Sequence, residues 1–245
     1  MEIACIFFGQ ITGNGNMKKF AILGLGTFGE SVAKALTEKG AEVIAVDKDM
    51  ARVEEIQDYV SIAVRMDSTD ENALIAQGIH EVDVAVVCIG EDFESNLLTS
   101  VILKQLGVPK VITRATKTIE EKILKAVGID RVVVPEQEVG EKLAYTLMHP
   151  HLKEIFYLAG PYTIAEIDAP KMFIGKSLEE LQLRSRFGLN LITIRKRSTV
   201  LSENGTPSEK ETVIMPDAKT IIEENDVLIL VGKKNDLNKL LSRNE

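Results

Sequence analysis

The chain has 245 residues, 45% of them hydrophobic, and a formal net charge of −8. That is apolar material for one large folded unit or two modest ones, and the acidic balance argues against a broad basic face for nucleic acid. The two cysteines, Cys5 and Cys88, stand far apart and outside any metal-ligand spacing, so they read as reduced cytosolic thiols rather than a disulfide framework or a zinc site.

Residues 1–16, MEIACIFFGQITGNGN, hold a short apolar run with no positive flank, which suits neither a signal peptide nor a bilayer span. They are expected to be an appendage, or else the natural start is Met17. No later segment reaches membrane-helix length, so any membrane role passes through a partner.

From Phe20 onward, short apolar strands alternate with amphipathic helices. FAILG is a buried strand and 28–39 a helix, EVIAVD (42–47) a strand and 50–59 a helix, SIAVR (61–65) a strand and 70–77 a short helix. DVAVVCIG (83–90), KVITRA (110–115) and RVVVP (131–135) continue the strands, with helices at 93–106 and 118–127 between them. Strands apolar throughout, separated by helices, predict a parallel sheet covered on both faces. Right-handed crossovers make that a doubly wound Rossmann sheet.

The first strand runs into G-x-G-x-x-G. Gly24 allows the tight turn, Gly26 lets the backbone approach a phosphate, and Gly29 lets the helix pack on the strand. The free N–H groups at the helix start receive the anion. Asp47 ends the second strand, where a carboxylate accepts both hydroxyls of an adenosine ribose and repels a 2′-phosphate. This does not separate NAD from ATP, ADP or AMP. Asp67 lies where the adenine edge is met, or simply solvates its loop while Ser68 or Asp70 caps the next helix. Gly90 lets the chain pass close to the ligand, and Asp92, Glu94 and Ser95 start the following helix.

A dehydrogenase needs a proton donor or acceptor beside the hydride. The three histidines, His80, His149 and His151, fall in a loop and on either side of Pro150, without a zinc spacing. No G-x-S-x-G elbow and no Walker A motif occurs. The residues describe a nucleotide cradle without visible chemistry.

GLGTFGESVAKALTEKGAEVIAVDKD, DSTDENAL, GEDFESNLLTSVILKQLGVPKVITRA and GIDRVVVPEQEVGEKLA together resemble RCK domains, also called KTN or TrkA domains, over residues 18–240. The resemblance is strongest to the cytosolic gating subunits of bacterial Ktr potassium uptake systems. It implies a regulator that binds ATP, ADP or NAD(H) without turning it over. It further implies dimers assembled into an octameric ring, on the inner face of the cell membrane beneath an integral-membrane potassium-translocating subunit. The candidate nucleotide set is then Gly24, Gly26, Thr27, Phe28, Gly29, Asp47, Lys48, Asp67, Ser68, Gly90, Arg114 and Glu136. Many such subunits carry Arg where this chain has Thr27, which removes one phosphate-directed charge. The resemblance also implies that Glu136 meets its dimer mate near the terminal phosphates across a cation, Mg2+, Ca2+ or Na+; alone it reads as an acid at the start of helix 137–148. An NAD(H)-binding redox-sensing regulator of the same fold is the alternative function, and catalysis is not expected.

Residues 136–158 carry Val139, Leu143 and Leu147 at helical spacing with Pro150 breaking the run, so 136–159 is expected to be a helix–turn–helix crossover. From residue 160 a small β-rich domain is expected, with one clear helix at 177–188 and a loop of turn formers at 202–210. It resembles the family's C-terminal domain, which in some Ktr subunits binds cyclic di-AMP. Arg184 and Asn190 match the ligand-contacting residues there; a solvated Arg and a turn Asn are the alternatives. The organisation expected is 1–16, 17–135, 136–159 and 160–245.

Overall fold

The computed structural model describes residues 17–158, 160–201 and 207–242, the side chains at 197–201 and 207–210 excepted. The appendage expected at 1–16 lies outside the described residues. The chain divides into two compact units, with the boundary after Gln137.

The first unit is a six-stranded parallel sheet. Its strands are β1 (Lys19–Leu23), β2 (Glu42–Asp47), β3 (Ile62–Arg65), β4 (Val84–Val87), β5 (Val111–Arg114) and β6 (Arg131–Val133), in the spatial order β3-β2-β1-β4-β5-β6. The helices between them are α1 (Thr27–Glu38), α2 (Met50–Ile56), α3 (Glu71–Ala76), α4 (Phe93–Gln105) and α5 (Thr118–Val127). This is the doubly wound sheet expected.

The period of two decides which face each strand residue serves. Ala21 and Leu23, Ile44 and Val46, Ala85 and Val87 join one cluster with Leu74, Leu103 and Leu124 of α3, α4 and α5. Ile22, Val43, Ala45 and Val86 join the opposite cluster with Ala33 of α1 and Val53 and Ile56 of α2. Both faces are therefore dry, and each fully buried Leu or Ile stabilises by about 1.5–3 kcal/mol. That is why these strands read as continuous apolar runs. Asp130 ties the sheet's far side together: it accepts the Val111 N–H at 2.7 Å and ion-pairs with Lys104 at 3.0 Å, and the Val111 bond foremost holds its carboxyl below the usual range.

Helix α6 (Pro135–Met148) opens with proline at a position where the missing N–H costs nothing. It does not continue as a second helix past Pro150. Residues Leu152–Tyr157 form strand β7, so the helix–turn–helix expected at 136–159 is a helix followed by a strand. The stretch LKEIFY is short enough to serve either state, and pairing decides it: Ile155 is buried opposite Ala165 of β8 (Tyr162–Asp168).

The second sheet is antiparallel. With β9 (Leu189–Leu201), β10 (Pro207–Ile214) and β11 (Val227–Lys233), its order is β10-β9-β11-β8-β7. The loop expected at 202–210 lies outside the described residues at 202–206, and its remainder belongs to β10. The single helix expected at 177–188 is two, α7 (Leu178–Leu181) and α8 (Leu183–Phe187), because Gln182 adopts a left-handed conformation at φ 47°. A last helix, α9 (Lys234–Leu241), was not foreseen; Leu237, Leu240 and Leu241 close the core of this unit.

Candidate nucleotide site

A cavity of about 690 Å³ opens at the carboxyl ends of the parallel strands, over the junction of β1 and β4 where the strand order reverses. Ligands of doubly wound sheets bind at that switch point, and the volume lies within the ordinary range of small-molecule pockets, about 300–1,000 Å³. Eleven of the twelve candidate residues line it: Gly24, Gly26, Thr27, Phe28, Asp47, Lys48, Asp67, Ser68, Gly90, Arg114 and Glu136.

Gly29 is the exception, and its job is behind the cavity wall. A Cβ there would stand 1.9 Å from the Gly24 carbonyl oxygen. Only glycine lets α1 pack this close to the strand–turn junction. Gly24 itself turns at φ 98°, a conformation that favours glycine. Gly26 differs from both: the nearest atom to a Cβ at that position is the Arg52 guanidinium at 3.9 Å, so its open side faces the cavity. As N-cap it offers no side-chain acceptor, which leaves the first N–H groups of α1 for an anion.

Asp47 is 7% exposed. Its Oδ2 accepts the Leu25 N–H at 2.6 Å and its Oδ1 accepts the Asp49 N–H at 2.9 Å. The carboxylate thus holds the glycine turn as well as facing the cavity. Asp67 accepts the Thr69 N–H at 2.9 Å and hydroxyl at 2.7 Å, and those bonds hold its carboxyl below the usual range. The helix cap beside it is Asp70, which accepts from Asn72 and Ala73, while the Ser68 hydroxyl is engaged with Thr99 of α4 at 3.0 Å. Asp92 caps α4 by accepting the Ser95 N–H at 3.1 Å, and the Ser95 hydroxyl, which donates to it at 2.6 Å, foremost draws its carboxyl down too. Burial pushes the Cys88 thiol up to about 12, so it lines the cavity as an inert group.

Arg114 ion-pairs with Glu136 and lies 5.7 Å over the Phe28 ring. Its Nε is buried with no hydrogen-bond partner, an orphaned donor in the cavity wall. Gly90 makes room for it, since a Cβ there would meet the guanidinium at 2.6 Å. Two residues that sequence reasoning missed complete the site. Asn96 donates to the carbonyls of Ile89 at 2.6 Å and Arg114 at 3.1 Å, joining the ends of β4 and β5. Arg52 on α2 stands 3.6 Å from Asp47. Its position five residues after Asp47 was the available signal, because the start of α2 must return over the strand end.

Five carboxylates and three cations line the cavity, a balance of −2. An anionic ligand is therefore opposed by the cavity as a whole and favoured only at the α1 terminus and the two arginines. Glu136 supplies one carboxylate, already engaged. Among the described residues no three His, Cys, Asp or Glu side chains gather as a metal site. In the second unit Arg184 and Asn190 are both exposed, and the shallow depression beside Arg184 is not lined by Asn190.

The chain matches the TrkA-N domain over residues 20–135 and the TrkA-C domain over 162–243. It belongs to the TrkA-N/TrkA-C family. It is 34% identical to Ktr system potassium uptake protein C of Bacillus subtilis, over 92% of this chain and 97% of that one. It is 31% identical to Ktr system potassium uptake protein A of the same organism, over 91% and 95%. The fold is that of the GsuK RCK domain, with a TM-score of 0.60 at 17% identity over 96% of this chain and 50% of that one. The GsuK channel bound to NAD matches at a TM-score of 0.59 and 17% identity over 94% and 40%. This chain thus spans half or less of those solved chains. No helix among the described residues is long and apolar enough to cross a membrane.

Proposed function

We propose that this chain is a cytoplasmic, non-catalytic gating subunit of a potassium uptake system. It binds ATP, ADP or NAD(H) in the Rossmann cavity and acts on an integral-membrane potassium-translocating partner. The similarity to two Ktr potassium uptake proteins over more than nine-tenths of both lengths carries this reading. The cavity supports it: a glycine turn, an acid at the β2 end and an orphaned arginine donor suit an adenine nucleotide. The absence of catalysis rests on what lines the site. Asp67 and Asp92 are held below the usual carboxylate range and the Cys88 thiol far above neutrality, so none of the three exchanges a proton readily at pH 7.

Gating needs no bond-making. A nucleotide shifts the protein between two shapes only by the difference in its affinity for them. The apolar stripe of Val139, Leu143 and Leu147 on α6 is 57–73% exposed, which suits burial against further copies in a ring. The test is reconstitution with a potassium-translocating membrane subunit. Potassium flux is expected to respond to the nucleotide supplied, and light scattering to report an assembly larger than a dimer. Flux indifferent to this chain with every nucleotide, alongside tight NADH binding, would instead favour a redox-sensing regulator.

Glu136 has a place in this reading. Terminal phosphates that draw Arg114 to themselves leave Glu136 uncompensated in a cavity of negative balance. A cation held there, with a second Glu136 from a dimer mate, offsets part of that negative charge. Mg2+, Ca2+ or Na+ is therefore expected to tighten ATP binding more than ADP binding, and Glu136→Gln to remove that difference while keeping the fold. Equal cation dependence in both proteins would leave Glu136 only its ion pair with Arg114.

A further inference from the structure

We propose that Arg52 is a phosphate-directed cation of the cavity, serving the glycine turn from α2 because Thr27 brings no charge to it. This deepens the nucleotide reading above and rests on it. The Arg52 Nη1 lies 3.6 Å from Asp47 Oδ2, and its Nη2 lies 4.0 Å from Glu91 Oε1. Both separations exceed hydrogen-bond length, so the guanidinium keeps donors to offer. It is also the nearest group to the open side of Gly26, at 3.9 Å. The side chain is 41% exposed, and an entering ligand reaches it.

The geometry of the turn joins these facts. Asp47 and Leu25 are in direct contact at 2.6 Å, so the carboxylate and the start of α1 are neighbours. A nucleotide whose ribose takes Asp47 carries its 5′-phosphate to the N–H groups that follow Gly26. Arg52 stands over both places. The guanidinium that now compensates Asp47 is then shared with the phosphate, and its planar fork suits two phosphate oxygens at once. Of the other two cations lining the cavity, Arg114 is engaged by Glu136 and Lys48 has Asp67 and Asp92 for electrostatic neighbours. Arg52 is the cation placed at the glycine turn itself. The competing role is structural: Arg52 braces Asp47 and never meets a phosphate.

Calorimetry with adenosine, AMP, ADP and ATP separates the two. In Arg52→Gln the affinities for the three phosphorylated ligands are expected to fall about tenfold or more, the scale of one lost charge-assisted bond. Adenosine is expected to change less than twofold. Arg52→Lys should recover part of the loss, and the salt dependence of ADP binding should become shallower in Arg52→Gln. In an Asp47→Ala background, Arg52→Gln should still weaken ADP. An equal fall for adenosine and AMP, or no further effect in the Asp47→Ala background, would overturn the proposal in favour of the brace. Unchanged affinities would overturn it outright. Wild-type protein that binds neither these four nor NADH removes the nucleotide reading and this one with it; wild-type binding with an indifferent Arg52→Gln removes this one alone.

Discussion

Replacing Asp47 by alanine is expected to lower the affinities for ATP, ADP and NADH together, by about 100-fold. The carboxylate is placed to accept two ribose hydroxyls, each charge-assisted bond contributing about 1.5–3 kcal/mol, and part of that is recovered by water in the variant. The three ligands share adenosine ribose and differ only beyond it, so their losses should run in parallel. A second loss accompanies the first. The Leu25 N–H now bonded to Asp47 at 2.6 Å is left unsatisfied in a buried place, which costs about 1–3 kcal/mol of stability. Asp47→Asn keeps an acceptor for that N–H but loses the charge, so it should retain more stability than affinity. Calorimetry beside thermal melting measures both. Affinity unchanged for all three ligands would mean that Asp47 only holds the turn.

Gly29→Ala is expected to abolish nucleotide binding and to destabilise the first unit. The added methyl would stand 1.9 Å from the Gly24 carbonyl oxygen and 3.1 Å from the Cys88 Cβ. The nearest obstacle is backbone, so no side-chain rotamer relieves it, and either α1 lifts from the sheet or the turn is rebuilt. Overpacking of this kind costs about 1–3 kcal/mol and often more against fixed backbone. Gly26→Ala is the contrast. Gly26 has φ −64°, which any residue adopts, and the nearest atom to its added methyl is a flexible arginine at 3.9 Å. That variant should melt near wild type and bind nucleotide more weakly, because its methyl projects into the cavity. Circular dichroism and binding together test the pair. A Gly29→Ala protein with normal melting and normal affinity would show that α1 does not need its close approach.

The alternation of strands and helices was legible because it follows from burial on both faces of the sheet. Ala21, Ile22 and Leu23 are all apolar since neither side of β1 meets water. The glycine turn and Asp47 were legible because a turn at φ 98° favours glycine and a strand end offers its acid to the crevice. The second unit was harder to read. LKEIFY after Pro150 carries apolar residues that suit a helix or a strand, and only pairing with β8 selects the strand. Gln182 broke an expected helix in two through a left-handed conformation that nothing in SLEELQLRSRFG announces.

The Rossmann pattern, the positions of its glycines and the acid at the β2 end could be read from the residues alone, since each is dictated by local geometry or by a period of two. The sequence also carried enough ordered motifs to point to the family. Which side chains share the cavity was fixed by the assembled fold. Arg52 on α2 and Glu91 in the loop after β4 are 39 positions apart and are brought within 4.0 Å by strand pairing. Arg114 meets Glu136 because β5 and the start of α6 end at the same rim of the sheet. Asn96 joins two strand ends that no spacing relates. Such contacts depend on strand order and on the crossover that places each helix start. Those are properties of the assembled sheet, and no local run of residues encodes them.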